Sequence, residues 1–93
     1  MEFEWDLAKE LINVRKHGVW FVEAVQCFHD PNGFQMADVN HSGQESRFYW
    51  IGKSQSGRVL TTRFTRRGMK IRIIGSAAWR KFRKLYDETT QAE

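Results

Sequence analysis

"SRFYWIGKSQSGRVLTTRFTRRGMKIRIIG", Ser46 to Gly75, is the stretch whose reading decides the fold. Apolar and polar residues alternate through Ser46–Lys53, Arg58–Arg66 and Met69–Gly75, and the breaks Ser54-Gln55-Ser56-Gly57 and Arg67-Gly68 are turn sequences. This predicts three adjacent antiparallel strands. Residues two apart share a face of a strand, so placing Phe48 and Trp50 in the core also places Leu60, Phe64, Ile71 and Ile73 there. The other face then carries Arg47, Tyr49, Arg63, Thr65, Lys70 and Arg72. A two-residue turn at Arg67-Gly68 would set Phe64 opposite Ile71 and Arg63 opposite Arg72. Like charges directly across strands repel, so that pair costs stability unless an anion sits between them.

Upstream of the strands the period is helical. Phe3 and Trp5 flank Glu4 in a short alternating segment, and Asp6 stands where a helix N-cap is wanted. Leu7, Leu11 and Val14 then recur at helical spacing, which predicts a helix over about 7–17. In "RKHGVWF", Arg15 to Phe21, Gly18 can take the left-handed conformation that closes a helix, and Lys16 and His17 suit its negative end. His17 is thus either part of a helix cap or a proton-transfer group. Phe21, Ala24, Val25 and Phe28 form a second helical stripe that stops at Asp30-Pro31-Asn32-Gly33. Phe34–Ala37 reads as the first strand of the sheet, followed by a polar loop from Asp38 to Gln44. A last helix over about 77–88 places Trp79, Phe82 and Tyr86 on one side as core, with Arg80, Lys81, Arg83 and Lys84 around the rim, and 89–93 reads as a frayed tail.

A chain of 93 residues, 41% hydrophobic, is long enough for one core and is read as a single domain over 1–93. It has no run of apolar residues long enough to span a membrane, and its acidic, polar start is unlike a secretory signal, so a cytoplasmic protein is expected. The single Cys27 has no disulfide partner and no metal-ligand spacing to any histidine; no metal or other cofactor is expected. The net charge is +4, unevenly spread: Arg47 to Lys84 holds 12 basic residues and no acid. That half is a footprint for a polyanion or an acidic partner.

Metal-free RNA cleavage needs a base for the 2′-hydroxyl, cations for the charge gathering on phosphate, and an acid for the leaving 5′-oxygen. Arg63, Arg72 and Arg47 suit phosphate because the guanidinium fork engages two oxygens while staying charged. Lys16, His17, His41 or Tyr49 could move protons, and Tyr49 could stack on a base. Arg63, Arg72, His17, Lys16 and Tyr49 are therefore the catalytic candidates, with Arg47, Lys70, Arg67 and His41 as further RNA contacts. The competing reading is a module whose arginines hold nucleic acid or an acidic protein without chemistry.

Six fragments, in this order, resemble the BrnT family of bacterial toxins: "EWD" at the start, "N..KHGV.F.EA...F.DP" at Asn13 to Pro31, "D..HS..E.R" at Asp38 to Arg47, "IG.S..GR.L" at Ile51 to Leu60, "T.RG..IRII" at Thr65 to Ile74, and "Y.E" at Tyr86 to Glu88. The resemblance covers nearly the whole chain. It implies a RelE-like α+β fold, N-terminal helices and a C-terminal helix on a twisted, mainly antiparallel sheet. It also implies an endoribonuclease that halts translation and is neutralised by a BrnA-type ribbon-helix-helix antitoxin, the pair reaching operator DNA as a complex. Two departures stand out. Trp20 replaces the usual Ser or Thr after "KHGV", and Gly75-Ser76-Ala77-Ala78-Trp79-Arg80 replaces an "ISAR" ending, so that Arg80 must stand in for that arginine or activity is reduced. A degenerate toxin retained for regulation is the corresponding alternative.

Overall fold

Asp6 starts the first helix as predicted. The computed structural model describes residues 1–91 and has helix α1 over Leu7–His17, with the Asp6 carboxylate accepting the Lys9 N–H at 3.1 Å. Gly18 closes it at φ 67° and donates its N–H to the Val14 carbonyl at 2.8 Å. Helix α2, Phe21–Cys27, begins after Trp20, whose side chain makes no capping hydrogen bond. The cap comes from α1 instead: buried Glu10 accepts the Phe21 N–H at 2.8 Å and the Trp5 indole N–H at 3.1 Å. The inward side of α1 is therefore Glu10 and Asn13, while Leu7 and Leu11 of the apolar stripe are exposed.

Five strands form one sheet in the order β1-β5-β4-β3-β2, from β1 (Glu2–Trp5), β2 (Phe34–Ala37), β3 (Arg47–Lys53), β4 (Val59–Arg67) and β5 (Lys70–Ala77). All neighbours are antiparallel except β1, which runs parallel to β5 at the edge. The segment around Phe3 and Trp5 is thus a fifth strand that local alternation alone did not assign to the sheet. A short 3₁₀ turn, Val39–His41, follows β2. Helix α3 spans Arg80–Gln91, so Thr89 and Thr90 are helical rather than frayed, their hydroxyls donating to the Leu85 and Tyr86 carbonyls. The remaining two residues of the expected tail lie outside the described residues.

The register between β4 and β5 differs from expectation by two residues. Gly68, at φ 61°, and Met69 make the turn, so Arg67 pairs with Lys70, Thr65 with Arg72 and Phe64 with Ile73. A two-residue shift preserves the faces but separates Arg63 from Arg72. A bulge at Ile74 then sets Arg63 opposite Gly75.

The two faces of the sheet are covered by different helices. On one, Phe21, Ala24 and Phe28 pack against Phe64, Ile71 and Ile73, with Phe3, Trp5, Phe48 and Trp50 around them. Complete burial of a ring such as Phe64 contributes roughly 2–3 kcal/mol. On the other, Phe82 and Tyr86 of α3 pack against Ile51 and Val59, with Phe34 and Tyr49 alongside. Helix α3 therefore lies on the face expected to be openly cationic, and the Tyr49 ring sits 5.3 Å from Phe82. Trp79, read as core, precedes the helix and is 38% exposed. No helix among the described residues is long and apolar enough to cross a membrane.

Glu23 ties α2 to the hairpin between β3 and β4. It pairs with Arg58 and accepts the Ser54 and Ser56 hydroxyls at 2.8 and 2.9 Å. The Arg58 hydrogen bond, opposed by burial and helped by the serines, lowers the Glu23 carboxyl from 4.5 to about 2. A carboxyl lowered on folding stabilises the protein fully above its unfolded pKa, and this stabilisation is lost as pH falls through the folded value. Glu23 should thus contribute up to about 3 kcal/mol above pH ~5, vanishing toward pH ~2. Unfolding free energies of the wild type and Glu23→Gln, measured by urea titration across this window, should converge on acidification. Parallel curves would contradict the assignment.

Candidate active site

Strand β1 covers β5 only from Lys70 to Ile73, which leaves the C-terminal half of β5 without a strand neighbour on that side. Asn13 of α1 takes the neighbour's place. Its Oδ1 accepts the Ser76 N–H at 3.0 Å, and its Nδ2 donates to the carbonyls of Ser76 at 2.9 Å and Val19 at 3.0 Å. One buried amide thus satisfies both polar groups of a strand residue and fixes the last turn of α1 against the sheet. That last turn carries Lys16 and His17.

The next strand over brings Arg63. Its partner Gly75 has no side chain, and a Cβ there would stand 3.4 Å from the Asn13 amide oxygen. The result is a cavity of about 240 Å³ whose lining includes Lys16, His17, Arg63, Gly75 and Trp79. The His17 ring meets Trp79 edge-on, centroids 6.1 Å apart. Three cations, Lys9, Lys16 and Arg63, and an imidazole beside an aromatic ring suit an anionic ligand that carries a base.

On its other flank Arg63 meets a second polar cluster. Arg63 Nε lies 3.3 Å from Oδ2 of Asp38, which is 3% exposed, and His41 Nδ1 lies 2.9 Å from Asp38 Oδ1. The Arg63 contact is an ion pair without hydrogen-bond alignment: neither Asp38 Oδ2 nor Arg63 Nε has a hydrogen-bond partner among the described residues. The guanidinium carbon is also 5.8 Å from the Tyr49 ring centroid. The loop is held by the Ser42 hydroxyl, which donates to the Asp38 carbonyl and accepts the Arg47 N–H, and by the Asp38 N–H bonding the Arg47 carbonyl at 2.8 Å.

Residues 5–82 match the family model described as the ribonuclease toxin BrnT of type II toxin-antitoxin systems. The chain belongs to the BrnT family. A crystal structure of the Brucella abortus ribonuclease toxin BrnT matches with a TM-score of 0.65 at 18% identity, over 85% of this chain and 96% of that one. This likeness establishes the shared fold. No curated protein matches the chain in sequence.

Within this BrnT-family fold the candidate residues separate into groups. Lys16, His17 and Arg63 come together. Tyr49 is beside Arg63, but its ring packs on Phe82. His41 joins Arg63 through Asp38, and Arg47, at the start of β3, lines a depression with His41. Arg72 is removed from the group: it faces Thr65 and pairs with Glu4 at 2.7 Å. Arg67 pairs with Glu45 at 3.1 Å, and Lys70 opposes Arg67 at the hairpin end. Arg80 lines a separate depression with Arg58 and Arg83, apart from the cavity that Arg63 lines. The acid-free half is less open than its composition implies, because Glu4, Glu23, Asp38 and Glu45 each neutralise one of its arginines.

Asp38, Asn13, Gly75 and Trp79 are the site residues that sequence reasoning did not select. Asp38 stood in the fragment "D..HS", whose spacing in a tight turn brings the carboxylate to the imidazole. Cys27 is buried, as read, and burial pushes its thiol up to about 12. No group of three or more His, Cys, Asp or Glu that could hold a metal ion is present among the described residues.

Proposed function

We propose that this protein is an endoribonuclease toxin that cuts RNA by metal-independent transesterification, inhibits translation and is neutralised by a BrnA-type ribbon-helix-helix antitoxin. Through that antitoxin the pair would meet operator DNA. The observation that carries the catalytic reading is the convergence of Lys16, His17 and Arg63 on one cavity. Lys16 and Arg63 bind the scissile phosphate and stabilise the charge that gathers on it. Trp79 stacks on a neighbouring base, and His17 exchanges a proton with the reacting oxygens. The 2′-oxygen loses its proton and attacks phosphorus, and the P–O5′ bond breaks as the 5′-oxygen takes a proton. The products are a 2′,3′-cyclic phosphate and a 5′-hydroxyl.

The test is cleavage of a single-stranded RNA by purified protein in excess chelator. Cyclic-phosphate and 5′-hydroxyl ends are expected, and a substrate with one 2′-deoxy sugar at the cleaved position should resist. Cutting that needs added divalent ion, or that ignores the missing hydroxyl, refutes the mechanism. RNA left intact at high protein concentration, with no growth arrest on induction, leaves the non-catalytic binding module.

A further inference from the structure

Transesterification at phosphorus is in-line: the 2′-oxygen enters opposite the departing 5′-oxygen, so two proton-transfer groups on opposite sides of the phosphate serve it better than one. Arg63 takes part in two groups, each of which holds a histidine. On the β5 flank it shares the cavity with His17, and on the β3 flank it pairs with Asp38, which holds His41. Asp38 is nine-tenths buried and more, yet one carboxylate oxygen has no hydrogen-bond partner among the described residues. A surface ion pair would not need such a carboxylate, and a core would not tolerate it without a purpose.

Resting on the ribonuclease reading above, we infer that Asp38 and His41 form a carboxylate–imidazole dyad in which His41 is a catalytic residue, accepting the 2′-hydroxyl proton, and Asp38 is its positioning residue. The bond to Asp38 makes Nδ1 the protonated nitrogen of the neutral ring. Nε2 then carries the lone pair and is the nitrogen left for a ligand. The ring is 49% exposed, so a ribose can reach it, whereas the carboxylate is closed to solvent. His41 passes its acquired proton to solvent after the cyclic product leaves. His17, across Arg63, delivers a proton to the 5′-oxygen. The charged groups around His41 are Asp38 from its own turn, Glu45 from the following loop, Arg47 at the start of β3, and Arg63 from β4 through Asp38.

The enzyme's pH profile and a mutant cycle test this. His41→Gln should lower kcat at least about a hundredfold with KM little changed, and should flatten the acidic limb of the kcat/KM profile, which reports the proton acceptor. Asp38→Asn should cost a comparable factor alone and almost nothing further in the His41→Gln background, because a positioning residue acts only through the group it positions. If the Asp38→Asn loss persists in that background, Asp38 serves Arg63 and the dyad is overturned. In case Asp38→Asn does not fold, ¹⁵N shifts of His41 in the wild-type protein give an independent answer: the Nδ1–H tautomer is expected, and the Nε2–H tautomer overturns the proposal. Wild-type cleavage with an unimpaired His41→Gln enzyme defeats the dyad alone. A wild type that cuts no RNA defeats the ribonuclease reading and the dyad with it.

Discussion

Replacing Arg63 by alanine is expected to reduce RNA cleavage by about 10²–10³, the usual loss when one preorganised donor to developing charge is removed. Arg63 lines the cavity with His17 and pairs with Asp38, which holds His41, so its loss would remove the proposed phosphate anchor and the link between the two groups. The same substitution has a second effect. Asp38 is buried, and deleting the cation beside a buried carboxylate costs about 3–5 kcal/mol. A dead Arg63→Ala protein could therefore be unfolded rather than chemically disabled. Arg63→Lys separates the two: it keeps the charge beside Asp38 but gives up the planar fork that engages two phosphate oxygens. It should unfold in urea near the wild-type midpoint while cleaving at least tenfold more slowly. Full activity in a folded Arg63→Ala protein would falsify the placement of phosphate on this residue.

Asn13→Ala is expected to destabilise the fold by about 3 kcal/mol or more. Three hydrogen bonds vanish together, and the alanine leaves the Ser76 N–H, the Ser76 carbonyl and the Val19 carbonyl without their partner. Each buried group so orphaned costs about 1–3 kcal/mol, reduced where water can enter at the sheet edge. Equilibrium urea unfolding measures this directly, and a midpoint unchanged from wild type would show that the amide is dispensable. A loss of activity should accompany it even well below the unfolding transition, since the amide fixes the helical turn bearing Lys16 and His17. Asn13→Asp discriminates further: it retains the acceptor for the Ser76 N–H, loses both donated bonds and buries a charge, so it should be no better than alanine.

How much of this was legible follows from which interactions are local. The strands of Ser46–Gly75 announce themselves by alternation, and a turn placed one residue off at each side shifted the register by two without disturbing the faces. That same error created the Arg63–Arg72 neighbourhood, which the structure does not contain. β1 has four residues and a parallel partner far along the chain, so no local pattern could place it. The aromatic stripe of α3 predicted a buried side but not which face of the sheet it covers, since Ala78 and Trp79 alone make the connection. Lys16, His17 and Arg63 were chosen by residue type, and the fold brings them together. Arg72 and Arg67 were chosen by the same reasoning and are neutralised by Glu4 and Glu45, pairings set by tertiary structure. Asp38 had the spacing to reach His41, but its burial had no signal: in a loop rich in polar residues a buried aspartate and a solvated one look alike.

The pairing of Asp38 with Arg63 also bears on substrate affinity. A substrate phosphodiester carries one negative charge, as does the carboxylate already beside the guanidinium, so its arrival exchanges one anion for another at little net gain. At the pentacoordinate stage of the reaction the phosphorus oxygens carry more charge than the resident carboxylate can rival, and only then does the exchange become strongly favourable. If Arg63 takes the phosphate as proposed, a cation with its own internal counter-ion would hold intact RNA loosely and reserve its attraction for RNA that is breaking.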